Sequence, residues 1–144
     1  MLGQKIRVGA FAALLYATRA SAFAPTTKVE LESALGAVNA DATTALAGYG
    51  AVGTWDVTRI TSFYALSTAL GNFNEDLTGW DTSAVSTMGS MFHYATSFNG
   101  AVAFDTSSVT AMTSMFYFAA AFNRPCSWDT TSVMDMQTML AYAN

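Results

Sequence analysis

The chain has 144 residues, a net charge of −4, and 11% charged side chains against 52% apolar ones. One domain is the expectation at this length, and six Lys and Arg supply no basic face for a nucleic-acid backbone. A single cysteine, Cys126, excludes an internal disulfide and a cysteine-based metal site.

The first 22 residues read as a secretory signal peptide. Lys5 and Arg7 make a basic start, Val8 to Tyr16 an apolar run, and Ala20-Ser21-Ala22 a small-residue cleavage site. The apolar run is too short for a bilayer-spanning helix, so no stable membrane span is expected once the leader is removed. The junction ASAFAP at residues 20–25 also resembles the motif of bipartite plastid-targeting leaders in diatom-type algae. Glu30, Glu32 and Asp41 oppose that address, because transit peptides are poor in acids. Secretion or cell-surface placement is therefore expected, with the plastid as the alternative.

Residues 23–54 read as a helical lead-in that caps the remainder of the chain. Val29, Leu31, Leu35 and Val38 supply an apolar stripe, and Asn39-Ala40-Asp41 reads as a break with a new N-cap.

Residues 55–144 are an internal repeat with units 55–79, 80–103, 104–127 and an incomplete 128–144. Position 1 is Trp55, Trp80, Phe104 and Trp128, and position 2 is Asp56, Asp81, Asp105 and Asp129. Position 6 is Ile60, Val85, Val109 and Val133. Position 9 is Phe63, Met88, Met112 and Met136, and position 12 is Leu66, Met91, Met115 and Met139. Positions 19 and 20 are the pairs Phe73-Asn74, Phe98-Asn99 and Phe122-Asn123. The apolar spacing over positions 6 to 16 predicts a short helix. The alternation around Ala103 and Ser127, with Pro125 at its edge, predicts a short strand. The expected fold class is therefore α/β, a solenoid with one short strand and one short helix per coil and an N-terminal helical cap.

Residues 80–99, WDTSAVSTMGSMFHYATSFN, resemble the repeat of BspA-like leucine-rich-repeat surface proteins, WDTSxVTxMxxMFxxAxxFN. Residues 104–123 and 128–144 match it too, and 55–74 more loosely. The resemblance covers about residues 28 to 144. It implies an extracellular protein for adhesion and protein contact, with no common active site.

The constant phase of the ladders Asp56, Asp81, Asp105, Asp129 and Asn74, Asn99, Asn123 points to structural roles. An Asp column before a helix suits N-capping. As a row of Ca²⁺ sites it lacks a second acidic column. An inward Asn can bond the backbone of its own and adjacent coils. The expected core is Trp55, Trp80, Phe104, Trp128, Val85, Val109, Val133, Met88, Met112, Met136, Met91, Met115, Met139, Phe98 and Phe122.

No catalytic, cofactor-binding or metal-binding residues are expected. GxSxG is absent, and Cys126 with His93 is a dyad in composition only. A non-enzymatic module binding a protein or glycan is the expected function, with self-association through the uncapped C-terminal coil as a further expectation. The alternative is an ice- or mineral-binding face built from Thr82, Thr106 and Thr130 beside Ser83, Ser107 and Thr131, a match that Val57 and Thr58 break in the first coil.

Overall fold

A computed structural model describes residues 22–143. The expected leader over 1–22 lies outside the described residues except for Ala22. Among the described residues, no helix is long and apolar enough to cross a membrane.

Two helices come first among the described residues: α1, Lys28–Ala40, and α2, Ala42–Tyr49. Thr27 caps α1 by accepting from the Glu30 amide at 3.2 Å, and the Glu30 carboxylate accepts from the Thr26 amide at 2.7 Å. One orphan donor of the first turn is satisfied by the cap, and the Glu30 carboxylate ties down the residue before it. Asp41 ends α1 and caps α2, accepting from the Thr44 amide at 3.2 Å and its hydroxyl at 2.7 Å. Leu31, Ala34, Leu35 and Val38 form the buried stripe of α1. Val29, expected on that stripe, is 68% exposed, and Ala34 holds the inward place one turn before Val38. The helix packs against a 3₁₀ segment, Leu66–Ala69, in the first repeat. Asn39 Oδ1 accepts the Asn72 amide at 2.7 Å across the same junction.

The repeats do not form a strand–helix solenoid. The described residues contain no sheet, only isolated parallel bridges joining Ser62 to Thr87, Thr87 to Ala111 and Ala111 to Asp135. Beyond α2 the only helical pieces among the described residues are 3₁₀ turns, Val52–Thr54 and Leu66–Ala69. Strand and helix are replaced by a stack of four turn-built coils.

Two local features explain the difference. Ser90, Ser114 and Thr138 at position 11, with Ala65, have positive φ, as do Tyr94, Phe118 and Tyr142 at position 15. A left-handed residue every four positions forbids an α-helix. Within each coil, amides at positions 6, 12, 16 and 19 donate three residues back, as in Val85 to Thr82, Met91 to Met88, Ala95 to Phe92 and Phe98 to Ala95. Turns closed at these intervals bring positions 6, 9, 12, 13, 16 and 19 inward, and that spacing imitates an amphipathic helix.

Amides at positions 9, 11, 13 and 15 instead donate to the next coil. Met88, Ser90, Phe92 and Tyr94 bond the carbonyls of Ala111, Thr113, Met115 and Tyr117 at 2.8–2.9 Å. The third coil repeats this with Met112, Ser114, Phe116 and Phe118 on the fourth. In the first coil only Phe63 and Ala65 do so, because residues 66–69 close into 3₁₀ geometry beneath α1.

The core is a set of aromatic and methionine columns. Phe73, Phe98 and Phe122 stack at 6.0 Å steps, and Phe92 and Phe116 sit 4.9 Å apart beside them. Trp55 stacks on Trp80 at 6.5 Å, and the Trp80 indole N–H donates to the Val52 carbonyl at 2.8 Å. At the N-terminal end Phe23 meets Tyr49 and Trp55 edge-on, at 4.8 and 4.9 Å.

The returns between coils run backbone against backbone. A Cβ on Gly100 would collide with the Glu75 carbonyl oxygen, and one on Gly79 with that of Gly53. Gly100→Ala should therefore destabilise the fold by about 1–3 kcal/mol, the overpacking range. Gly48→Ala, in α2 with nothing within 4 Å of its Cβ, should stabilise by about 0.5–1 kcal/mol through helix propensity. Paired denaturant melts check both signs.

Candidate binding surface

Stacking identical coils turns each exposed repeat position into a column. Three such columns carry the polar and aromatic chemistry of the surface.

The first is the aspartate column. Asp56, Asp81, Asp105 and Asp129 are exposed. No helix follows them, so the expected helix-capping role is corrected to a tight turn. Asp81 Oδ1 accepts from the Ser83 amide at 3.1 Å and its hydroxyl at 2.7 Å, and Asp105 does the same with Ser107 at 3.0 and 2.7 Å. Asp56 with Thr58 and Asp129 with Thr131 repeat the motif. These hydroxyl and amide bonds hold all four carboxyls below the ordinary aspartate range. Neighbouring aspartates push the other way at Asp81 and Asp105, with smaller effect.

The second is the asparagine column. Asn74 Oδ1 accepts the Asn99 amide at 2.7 Å, and Asn99 Oδ1 accepts the Asn123 amide at 3.1 Å. Each side chain pins the bend of the following coil. The amide oxygens of Asn74 and Asn99 are thus committed to the backbone.

Of the threonines considered for a flat hydroxyl face, Thr130 is exposed and the other two are not. Thr82 and Thr106 are buried, and their hydroxyls donate to the carbonyls of Asp105 and Asp129 at 2.9 and 2.8 Å. Ser83, Ser107 and Thr131 give their hydroxyls to the aspartates of their own turns. This side offers solvent no free hydroxyl array at those columns.

Most of the expected core residues lie inside. Trp55, Trp80, Phe104, Val85, Val109, Met88, Met112, Met91, Met115, Phe98 and Phe122 are buried. The fourth coil departs from the expectation: Trp128, Val133 and Met139 are half-buried and Met136 is 45% exposed. A core position here is covered from both sides by stacking, and no described coil lies beyond the fourth.

The third column set is aromatic, and the repeat motif does not announce it. Tyr94, Phe118 and Tyr142 at position 15 form a near-parallel ladder with centroids 5.1 and 4.4 Å apart. At position 14 His93 lies parallel to Tyr117 at 5.1 Å. The two columns cross nearly at right angles: His93 on Tyr94 at 85°, Tyr117 on Phe118 at 74°, Tyr117 on Tyr142 at 89°. Tyr94 is 54% and Tyr142 67% exposed. His93 is thus one tile of an aromatic surface.

Cys126, exposed, directs its thiol to the Arg124 carbonyl at 3.5 Å, and desolvation raises its pKa. A thiol held protonated is a poor nucleophile. Among the described residues, no three His, Cys, Asp or Glu side chains are grouped to hold a metal ion.

The family described as a Mycoplasma protein of unknown function, DUF285, matches residues 36–144, and the chain belongs to that family. The match runs from the second half of α1 through all four coils. No curated protein and no solved structure matches the chain.

The aspartate column sets an acid sensitivity. A carboxyl whose pKa is lowered by folding stabilises the fold above its unfolded value and loses that contribution as pH falls through the folded value. The melting temperature should be flat near neutrality and fall below about pH 4, the unfolded aspartate range. Asp105→Asn keeps an oxygen for Ser107 and should flatten the acid decline at little cost at pH 7, whereas Asp105→Ala should lower the melting temperature at pH 7. Thermal scans from pH 2 to 7 read both.

Proposed function

We propose that this chain is a non-enzymatic, secreted or cell-surface repeat module that binds a protein or glycan partner. Three coils repeat one backbone, and the first departs from it over residues 66–69, while outward positions vary, as at position 14 with Thr68, His93, Tyr117 and Ala141. A scaffold of this kind separates stability, held by the buried columns and the inter-coil ladder, from recognition on the outer columns. The exposed aromatic surface carries the reading, because contiguous rings facing solvent mark interaction sites.

Membership of the DUF285 family supports it, together with the resemblance of residues 80–99 to the BspA-like surface repeat. The basic start, apolar run and small-residue junction before Phe23 support export. Bonds within the fold engage the aspartate column, Asn74, Asn99 and the Cys126 thiol, which supports a structural role for them.

The test has two arms. An antibody against the repeats should label intact, unpermeabilised cells or the medium, and external protease should remove the cell-bound signal. The purified chain should bind saturably to cell surfaces or to a combined glycan and extracellular-protein array. Labelling only after permeabilisation, or an array without saturable binding, would reject the proposal.

A further inference from the structure

We infer that the crossed aromatic columns form a binding strip for a linear, neutral, β-linked polysaccharide lying along the stack axis. This inference rests on the proposed binding function and names its surface and the class of its ligand.

Backbone strain is the first reason. Tyr94, Phe118 and Tyr142 have φ of 59°, 56° and 59°. Bulky residues avoid this region, and Gly or Asn would occupy it at less cost. The coil uses this conformation at positions 11 and 15 alike, yet it places small residues at position 11 and rings at position 15. In the first coil the same position is Ala69, in ordinary 3₁₀ geometry.

Ring geometry is the second. Coils related by one step must hold their rings parallel, and they do, within 5–15° along position 15. The steps of 4.4 and 5.1 Å exceed the carbon contact distance of about 3.5–4.0 Å. The rings are therefore offset rather than eclipsed, with Tyr94 54% and Tyr142 67% exposed and Phe118 half-buried between them. Position 14 leans across them at 74–89°. The surface is a herringbone of apolar facets with Tyr94, Tyr117 and Tyr142 hydroxyls among them.

Charge is the third. Positions 10 to 15 of the four coils, residues 64–69, 89–94, 113–118 and 137–142, contain no Asp, Glu, Lys or Arg. A phosphate backbone or a polyanionic glycan would need cations here, and a basic peptide would need acids. The polar groups present are hydroxyls, the His93 imidazole and the Gln137 amide. Apolar facets interleaved with neutral hydrogen-bonding groups match a pyranose, which offers C–H bonds on its faces and hydroxyls at its rim.

Periodicity is the fourth. The strip repeats one facet pair per coil, along a line. A polymer of identical units can engage each facet in the same way, so weak contacts add through multivalency.

The experiment is native affinity electrophoresis of the full chain through gels containing hydroxyethylcellulose, mixed-linkage β-glucan or galactomannan. Dextran, α-linked and without a flat ribbon, is the comparison. At least one β-linked polysaccharide should retard the protein where dextran does not. The pair Tyr94→Asn with Phe118→Asn removes two rings and suits the left-handed backbone, and should weaken retardation about tenfold or more. Phe118→Tyr should retain it. Tyr142→Asn, at the most exposed ring, should weaken retardation even if the double variant fails to fold by circular dichroism. Equal mobility of the unaltered chain in all gels overturns the inference. So does retardation that a folded double variant, or Tyr142→Asn, leaves unchanged. Cell-surface or array binding that persists without polysaccharide retardation leaves the binding module standing and removes only this ligand.

Discussion

The fold depends on where the backbone amides of the repeats go. Coils built without α-helix or sheet must still satisfy their buried N–H and C=O groups. Here the amides divide by position. Those at 6, 12, 16 and 19 close turns within a coil, and those at 9, 11, 13 and 15 reach the next coil. Left-handed residues at positions 11 and 15 reverse the local chain direction often enough to let neighbouring amides divide between the two tasks. Remove the stacking and half of this network has no partner. A coil is therefore stable only beside another coil, and the N-terminal one lies under α1.

That ladder also fixes which positions are free to vary. Bonding at positions 9 to 15 enforces register between coils, so a change of length must fall elsewhere. The first unit is one residue longer than the next two, and the extra residue lies in its return, between Asn74 and Trp80. Only sparse bonds join the returns, such as Leu77 to the Ala101 carbonyl at 2.9 Å. Close backbone approach at Gly79 and Gly100 takes the place of side-chain packing there.

The repeat's period and phase are legible in the sequence because stacking makes each core position recur. Trp80 and Phe104, Met88 and Met112, Phe98 and Phe122 are buried as equivalent members of their columns. The conformation between those positions is not legible. Turns closed three residues back leave apolar side chains at the intervals of a helix face, so periodicity alone does not separate the two. The usual warning of a left-handed residue, Gly or Asn, is missing: Ser90, Ser114, Tyr94 and Phe118 hold those places. The N-terminal helices are easier, since Asp41 is both a break and a cap in composition and in fact. At the surface, the lone histidine draws attention to His93 at position 14. The stronger signal lies one residue on, in the recurrence of Tyr94, Phe118 and Tyr142.

The two left-handed positions carry side chains of different size. Position 11 holds small residues, Ala65, Ser90, Ser114 and Thr138, and two of these bond each other, Ser114 and Thr138 sharing a hydrogen bond at 2.7 Å. Position 15 has the same backbone conformation in three coils yet carries full aromatic rings. Backbone geometry therefore does not dictate ring size, and core packing does not either, since Tyr94 and Tyr142 face water. Ring–ring contact along the column recovers part of the cost, about 0.5–1.5 kcal/mol per pair. A strained residue costs about 1–3 kcal/mol, so stacking offsets that cost without making the rings a source of stability.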